Sequence, residues 1–256
     1  MTQANCAVTS IETVGKEIYV IGIHSPEISS SAQPGQFINI KVSECYPPLL
    51  RRPFSVYHIS GSEVKIIFNV VGSGTRILAN KRVGETLDVM GPLGRPYKVE
   101  DDYETAILVG GGLGVAPLPM VTAAIRSEKN IQTFLGSRAG SQIVRTHLEN
   151  VQVATDDGSE GFCGTVIDLL RHHLGKESYS KPKIFGCGPI AMLRNLDRMA
   201  QELGIPCEVS LESVMGCGIG ICQGCPVERI NTTTKYSLVC KEGPVFHSRT
   251  IRLSEW

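Results

Sequence analysis

Four cysteines near the end of the chain have the spacing of ligands to an inorganic cluster. Cys217, Cys222, Cys225 and Cys240 follow the pattern C-x4-C-x2-C and then, after fourteen further residues, C. This rhythm is typical of a plant-type [2Fe–2S] cluster, which carries one electron at a time. Zinc sites more often combine two short cysteine pairs, so a zinc-stabilised binding module without redox function is the alternative from another class. The spacing predicts an electron-transfer protein.

The glycines beside these cysteines predict a tightly curled loop. Gly216, Gly218, Gly220 and Gly224 allow backbone angles that other residues rarely adopt. Such a loop can point backbone N–H groups at the sulfur atoms, and these groups tune the potential of a cluster.

Two glycine-rich turns predict a nucleotide site. The run GGGLGVAP at 110–117 follows an apolar strand and opens a helix, and FGCGP at 185–189 closes a later strand. Ligands of open parallel sheets lie at the carboxyl ends of the strands, where helix N-termini offer unpaired N–H groups. The first turn departs from the G-x-G-x-x-G spacing and, taken alone, equally fits a tight strand–helix connection.

A short run in the first hundred residues combines arginines with aromatic side chains. In LRRPFSVY, at 50–57, the forked donors of Arg51 and Arg52 suit a phosphate. Phe54 and Tyr57 could flank a flat ring, although core packing is the simpler explanation for both. The run GSGT at 72–75 precedes a short helix and predicts another phosphate contact.

The hydrophobic pattern predicts an α+β protein of several domains. We expect an antiparallel β-barrel domain over 1–100, a doubly wound α/β nucleotide domain over 101–210 and a small [2Fe–2S] domain over 211–256. The first part is predicted to contain strands 17–23, 36–42, 54–59 and 63–71, a helix over 75–80 and a closing loop over 90–96. The second is predicted to alternate strands 105–110, 131–135, 151–155, 183–185 and 207–211 with helices 114–126, 141–148, 165–173 and 189–203.

Composition narrows the classes of partner and compartment. The 256 residues have a formal net charge of zero, which argues against nucleic acid and anionic membranes as partners. No apolar run approaches the ~20 residues of a membrane-spanning helix, and the N-terminus lacks the pattern of a signal peptide. The cysteines outside the cluster pattern are scattered and odd in number, which predicts free thiols and a cytoplasmic protein. They are Cys6, Cys45, Cys163, Cys187 and Cys207.

The motifs, taken in order, resemble one superfamily across nearly the whole chain. RPFS, GGGLGVAP and CGP resemble the ferredoxin–NADP reductases, whose flavin motif is R-x-[YF]-S. The run EVSLESVMGCGIGICQGCPV, followed by VCKEGPVF, is similar to electron-transfer subunits of class 1B dihydroorotate dehydrogenase. The resemblance implies an oxidoreductase component of pyrimidine biosynthesis that contains FAD and a [2Fe–2S] cluster. It would pass electrons from NADH to a separate FMN-containing catalytic subunit, with two copies of each chain.

The resemblance also implies roles for individual residues. FAD would be held by Arg52, Pro53, Phe54, Ser55, Asn69, Val70, Val71, Gly74 and Thr75, the pyridine nucleotide by Gly111, Gly112, Gly114 and Cys187, and the cluster by the four cysteines. No catalytic residue is expected, because the organic substrate would bind the partner. Exposed apolar residues such as Ile219 and Ile221 are expected to line the docking surface.

Two alternatives stay open on the residues alone. Subunits of NADH-dependent ferredoxin:NADP reductases and of anaerobic sulfite reductases share the short gap before the fourth cysteine. Arg138, which follows a predicted strand, could pair with a 2′-phosphate, so the residues do not decide between NADH and NADPH.

Overall fold

An antiparallel barrel-like sheet forms the first part of the molecule. The computed structural model describes residues 1–43, 47–230 and 232–254, and Cys45 lies outside them. The elements are β1 (Thr2–Gly15), β2 (Ile18–His24), α1 (Pro26–Ser29), β3 (Phe37–Lys41), β4 (Arg52–Ser55), β5 (His58–Ser60), β6 (Glu63–Asn69), α2 (Ser73–Ala79) and β7 (Thr86–Leu93). The seven strands pair in the order β4-β3-β7-β1-β2-β6-β5. Branched side chains such as Ile21, Ile38 and Ile66 fill the interior.

A mostly parallel sheet forms the second part. Its elements are β8 (Thr105–Gly111), α3 (Leu118–Ile125), β9 (Asn130–Ser137), β10 (Val151–Thr155), β11 (Phe162–Cys163), α4 (Val166–Leu174), β12 (Pro182–Cys187), α5 (Ile190–Glu202) and β13 (Cys207–Ser210). The strand order β11-β10-β9-β8-β12-β13 reverses direction between β8 and β12. Helix α3 packs in one hydrophobic cluster, and α4 and α5 pack in another. The predicted doubly wound arrangement is confirmed, with its switch point between β8 and β12.

Local sequence explains the main elements of this sheet. Every residue of β8 is buried, as expected for a central parallel strand with both faces covered. Thr165 caps the N-terminus of helix α4: its hydroxyl accepts the N–H of Asp168 while the Asp168 carboxylate accepts the N–H of Thr165. In α5, Leu193, Leu196 and Met199 are buried at helical spacing, so one stripe faces the sheet.

The last part of the chain joins the nucleotide sheet. It contains β14 (Pro226–Glu228), β15 (Tyr236–Leu238) and β16 (Val245–His247). Strands β14 and β15 form a two-stranded antiparallel sheet, whereas β16 pairs antiparallel with β13. No helix in the described ranges is long and apolar enough to cross a membrane.

The structure differs from the sequence-based expectations in several elements. The predicted helix over 141–148 is wrong: a 3-10 turn covers Gly140–Gln142, and the chain then continues irregularly, with a left-handed residue at His147. The predicted strand over 54–59 is split between β4 and β5. Strands β1 and β7 were not predicted, and Met90 to Leu93 belong to β7 rather than to a loop.

Candidate redox centre and nucleotide sites

Three of the four cysteines lie on a loop that directs backbone N–H groups at sulfur, and the fourth, Cys240, follows β15. The Cys217 Sγ accepts hydrogen bonds from the N–H groups of Ile219 and Cys222, each with an N···S distance of 3.4 Å. The N–H of Cys240 lies 3.5 Å from the Cys225 Sγ. Cys222 is exposed, Cys217 is half-buried, and Cys225 and Cys240 are buried. The ligands therefore span from the surface into the core.

The thiols of Cys217 and Cys240 differ in pKa. Burial raises the pKa of the Cys217 thiol, but hydrogen bonds from the N–H groups of Cys222 and Ile219 outweigh burial and lower the pKa to about 6. Burial, together with the neighbouring Cys225, raises the pKa of the Cys240 thiol to about 12. The lowered pKa favours the thiolate form of Cys217, whereas the raised pKa of Cys240 means that its proton would leave only when a metal ion replaces it.

Glycine is required at two points of the loop. Gly218 and Gly220 have φ values of +73° and +87°, in the left-handed region. A Cβ at Gly220 would also lie 3.0 Å from the Lys241 side chain. The donor set of four thiols on an amide-rich loop fits a [2Fe–2S] cluster.

The predicted flavin residues come from β4, from the end of β6 with the two residues after it, and from the start of α2. The Arg52 guanidinium lies beside Gly74, where a Cβ would come within 3.1 Å of Nε. Arg52 and Ser55 are half-buried, whereas Asn69 is exposed and Val71 is 77% exposed. Pro53 and Val70 are half-buried beside them. An arginine, a glycine turn and an exposed apolar residue together suit a phosphate joined to a flat ring.

Two of these residues have other partners in the structure. The Phe54 ring is buried in the barrel core and packs against Phe68, with ring centroids 5.7 Å apart. The Thr75 hydroxyl accepts the N–H groups of Val71 and Gly72 over 3.0 and 3.2 Å. Their contribution to a flavin site would therefore come through backbone and shape.

The two glycine-rich turns lie side by side at the switch point. Strands β8 and β12 pair in parallel, with Gly110 opposite Cys187. A Cβ at Gly114 would overlap the carbonyl of Cys187, and a Cβ at Gly111 would lie 2.6 Å from the Met192 sulfur. Gly112 has φ +55° and open space around it. Gly111 and Gly114 thus permit the close approach of the turns, and Gly112 leaves the edge open.

Cys187 sits among polar residues that sequence reasoning missed. Burial raises the pKa of its thiol to about 12, the Glu212 carboxylate adds to the rise, and a hydrogen bond with Ser210 opposes it. The neighbouring Tyr97 is buried and donates its hydroxyl to the carbonyl of Gly186 over 2.9 Å. The thiol is therefore a neutral group. Glu212 lies two residues beyond the end of β13, and the register that places Cys187 opposite Ser210 brings it near Cys187.

Arg138 lies at the carboxyl end of β9, where the ribose of a nucleotide is expected. Its side chain is exposed, and its carbonyl accepts the N–H of Asp157 over 3.1 Å. The N–H of Asp156 bonds to Ser137 at the same edge. Acidic residues next to Arg138 make this edge less favourable for a 2′-phosphate.

Exposed apolar residues flank Cys217 in the sequence. Val214 is 86% exposed and Ile221 is 77% exposed, three residues before and four residues after the half-buried Cys217. Ile221 agrees with the predicted docking surface. Ile219 does not, because it is half-buried and packs against the hydrophobic core.

Comparison with known proteins places the cysteine loop in a described domain. A family model for the iron-sulfur cluster binding domain of dihydroorotate dehydrogenase B matches residues 212–252. This range contains all four cysteines.

Relatives that match nearly the whole chain are named for a subunit of the same enzyme. The chain is 35% identical to the electron transfer subunit of dihydroorotate dehydrogenase B (NAD(+)) from Desulforamulus reducens, over 94% of this chain and 95% of that protein. It is 34% identical to the subunit of that name from Bacillus cereus strain Q1, over 96% and 97%.

Solved structures agree in fold. A chain from the structure of an NADH-dependent reduced ferredoxin-NADP oxidoreductase superposes with a TM-score of 0.87 at 30% identity, covering 98% of this chain and 90% of that one. The ferredoxin reductase of carbazole 1,9a-dioxygenase superposes with a TM-score of 0.65 at 21% identity, covering 80% and 67%, and shares the fold.

Proposed function

Since the chain belongs to the family of electron transfer subunits of dihydroorotate dehydrogenase B (NAD(+)), we propose that it delivers electrons from NADH to a dihydroorotate dehydrogenase catalytic subunit that contains FMN. It is the electron-transfer component of an NAD-dependent oxidoreductase with FAD and an iron-sulfur cluster as cofactors. When bound, FAD would take a hydride from NADH and the cluster would carry the electrons onward singly.

The observation that carries the proposal is the sulfur environment of the cysteine loop. Two N–H groups converge on the Cys217 Sγ, and the other ligands follow within a loop that matches the family's cluster domain. We assign Cys217, Cys222, Cys225 and Cys240 as the ligands. Backbone donors to thiolate sulfur stabilise the extra negative charge of the reduced state, which suits a relay.

We assign the remaining site residues by their surroundings. Arg52 would neutralise the FAD pyrophosphate beside Gly74 and Thr75, and Ser55, Asn69, Val70 and Val71 would border the ring system. Gly111, Gly112 and Gly114 would admit the pyridine nucleotide at the switch point. Cys187, as a neutral thiol, would pack against the nicotinamide without attacking it. Burial, with a smaller contribution from Glu212, would keep that thiol protonated.

The exposed apolar surface beside the cluster loop would dock the catalytic subunit. Val214 and Ile221 are large and exposed, and they flank the thiolates through which electrons leave. Docking there would bury apolar area and bring the acceptor close to the relay. We propose two copies of each chain in the complex, the three-domain division at about 100 and 210, and a cytoplasmic location, where the free cysteines stay reduced.

A second candidate function has one observation in its favour. The chain is 30% identical, over nearly its whole length, to a chain of a reduced ferredoxin-NADP oxidoreductase. In that case the same cluster would serve a different partner. The higher identity to the dihydroorotate dehydrogenase subunits favours the first assignment.

Cofactor analysis and partner capture test the proposal together. Anaerobically purified protein should contain FAD rather than FMN, with iron and acid-labile sulfide in equal amounts. Zinc without iron would contradict the cluster and support the binding-module alternative. On size exclusion, the chain should co-elute with a dihydroorotate dehydrogenase catalytic subunit, and Ile221→Glu should weaken co-elution while leaving both cofactors bound. Co-elution only with a ferredoxin-NADP oxidoreductase subunit would favour the second candidate.

A further inference from the structure

We propose that Asn39 is a positioning residue that holds the first cluster ligand, Cys217, against the strand pair that contacts the flavin. The inference rests on the proposed function, because it takes Cys217 as a ligand and β4 as a flavin contact. Asn39 is 1% exposed. Its Nδ2 donates to the carbonyl oxygen of Cys217 over 3.2 Å, which joins the barrel to the cysteine loop.

The strand that carries Asn39 is held firmly on the barrel side. Asn39 lies in the middle of β3, opposite Pro53 of β4, and the adjacent Ile40 is opposite Arg52. The Arg51 guanidinium donates to the carbonyl of Asp88 over 2.9 Å and pairs with the Asp88 carboxylate at 2.5 Å. The backbone of β3 is therefore tied to the flavin residues, while its Asn39 side chain reaches the loop.

The loop is fitted closely around this carboxamide. A Cβ at Gly218 would lie 2.5 Å from the Asn39 Nδ2, so the amide occupies the space that a side chain would need. The bond to the Cys217 carbonyl fixes the peptide that joins Cys217 to Gly218. The next peptide supplies the Ile219 N–H that donates to the Cys217 Sγ. Rotation of the first peptide would disturb this N–H···S bond, which tunes the cluster.

Packing alone does not account for an asparagine at this position. Its Oδ1 is buried and has no hydrogen-bond partner among the described residues. A buried acceptor without a partner costs stability, and an apolar side chain of similar volume would avoid that cost. The amide at this buried position agrees with a function of its donor group toward the loop.

The test compares two substitutions in the full chain loaded with both cofactors. Asn39→Leu removes both polar atoms, and Asn39→Asp keeps the shape but replaces the donor with a negative charge. A titration followed by electron paramagnetic resonance for the cluster, and by absorbance for the flavin, should show a more negative cluster potential in both variants. The flavin potential should stay unchanged. Iron release to a chelator should accelerate about tenfold, as expected when a partner of a metal ligand is lost.

Asn80→Leu is the matched control. Asn80 is exposed and donates its amide to the carbonyl of Arg76 over 2.9 Å, away from the cysteine loop. It should leave both potentials and iron release unchanged. If Asn39→Leu does not fold, Asn39→Asp decides. A normal cluster signal with unaltered potential and iron release in the Asn39 variants would overturn the inference. Absence of any [2Fe–2S] signal in the unsubstituted protein would instead contradict the proposed function.

Discussion

At the residue scale, Cys240 carries the greatest weight in the cluster assignment, because it stands alone beyond the short loop. Cys240→Ala should abolish or strongly weaken the electron paramagnetic resonance signal of the reduced protein, since thiolate ligation leaves no substitute. FAD should remain bound. Cys163→Ala is the control, because Cys163 is an exposed free thiol outside the loop. A normal rhombic signal in Cys240→Ala would mean that another group completes the cluster.

Arg52 is the second residue whose substitution has a defined outcome. Arg52→Ala removes a charged donor to the proposed pyrophosphate site, a loss of about 1.5–3 kcal/mol, or roughly 10–100-fold in FAD affinity. Chromatography and fluorescence of the released flavin measure it. Arg126→Ala should have no effect, since Arg126 is an exposed residue paired with Glu149. Equal flavin retention in both variants would remove Arg52 from the site.

Residue types and spacing predicted the candidate ligands but not the residues around them. The four cysteines were recognisable because ligand spacing is local in sequence. Glu212 and Asn39 were not, because strand register and a contact between separate parts of the chain bring them to Cys187 and Cys217. Phe54 is the opposite case: its motif suggested contact with a flat cofactor ring, but its side chain packs against Phe68 in the barrel core.

At the element scale, the approach of the two glycine-rich turns yields a prediction. Gly114→Ala places a Cβ into the Cys187 carbonyl, which is backbone and cannot rotate away. We expect about 1–3 kcal/mol of lost stability and weaker NADH binding, because the turns must separate. Denaturant unfolding and nucleotide titration measure the two effects. Gly175→Ala, where a Cβ would keep 3.4 Å from its nearest neighbour, should affect neither; unaltered NADH binding in Gly114→Ala would refute the close packing.

The contact between the barrel and the irregular segment after β9 should depend on pH. The rings of His58 and His147 stack with centroids 3.7 Å apart, and the Tyr57 hydroxyl donates to the carbonyl of Thr146. Burial lowers the pKa of both imidazoles from the ordinary 6.5. The pKa of His58 is lowered further by the charges of His147 and Lys65, and Glu63 raises it. The pKa of His147 is lowered further by Lys65, and Glu12 raises it.

Because the pKa of each histidine is lower in the folded protein, the unfolded chain takes up protons at a higher pH than the folded protein does. The stability that the neutral pair contributes is therefore present above about pH 6.5 and lost as pH falls through the lower folded values. His58→Phe keeps a flat ring and should reduce the fall in melting temperature between pH 7 and 5. His24→Phe, at an exposed position, should behave like the unsubstituted protein. If the melting temperatures of all three proteins fell equally between pH 7 and 5, the histidine pair would not contribute to the pH dependence of stability.

Periodicity predicted the parallel elements and failed where tertiary contacts decide. Strand β8 and helices α4 and α5 followed their patterns. The segment over 141–148 has helical spacing, yet Ile143, Val144 and Leu148 pack in the cluster shared with the barrel residue Tyr57. The fourteen-residue strand β1 was not recognisable from its mixed polar sequence. It pairs with β2 along one part and with β7 along another, so no single alternating pattern runs through it.

At the scale of the whole molecule, the three parts meet at shared residues. Tyr97 follows the barrel, and its N–H donates to the carbonyl of Pro34 while its hydroxyl bonds to Gly186 of β12. Buried Lys183 pairs with Glu208 at 3.3 Å and with Asp101 at 2.6 Å, which anchors the connection between the sheets. Strand β16 ties the cysteine region to the nucleotide sheet. Such mutual anchoring fixes the distances between electron entry and exit.

The proposed relay runs from NADH through this chain to a dihydroorotate dehydrogenase catalytic subunit. The direct measurement is NADH-dependent reduction of orotate by the reconstituted complex, with the catalytic subunit alone and a Cys222→Ala complex as controls. NADH should reduce orotate with the intact chain and should not reduce it in either control. Orotate reduction that proceeds equally with Cys222→Ala, or without this chain, would contradict the relay.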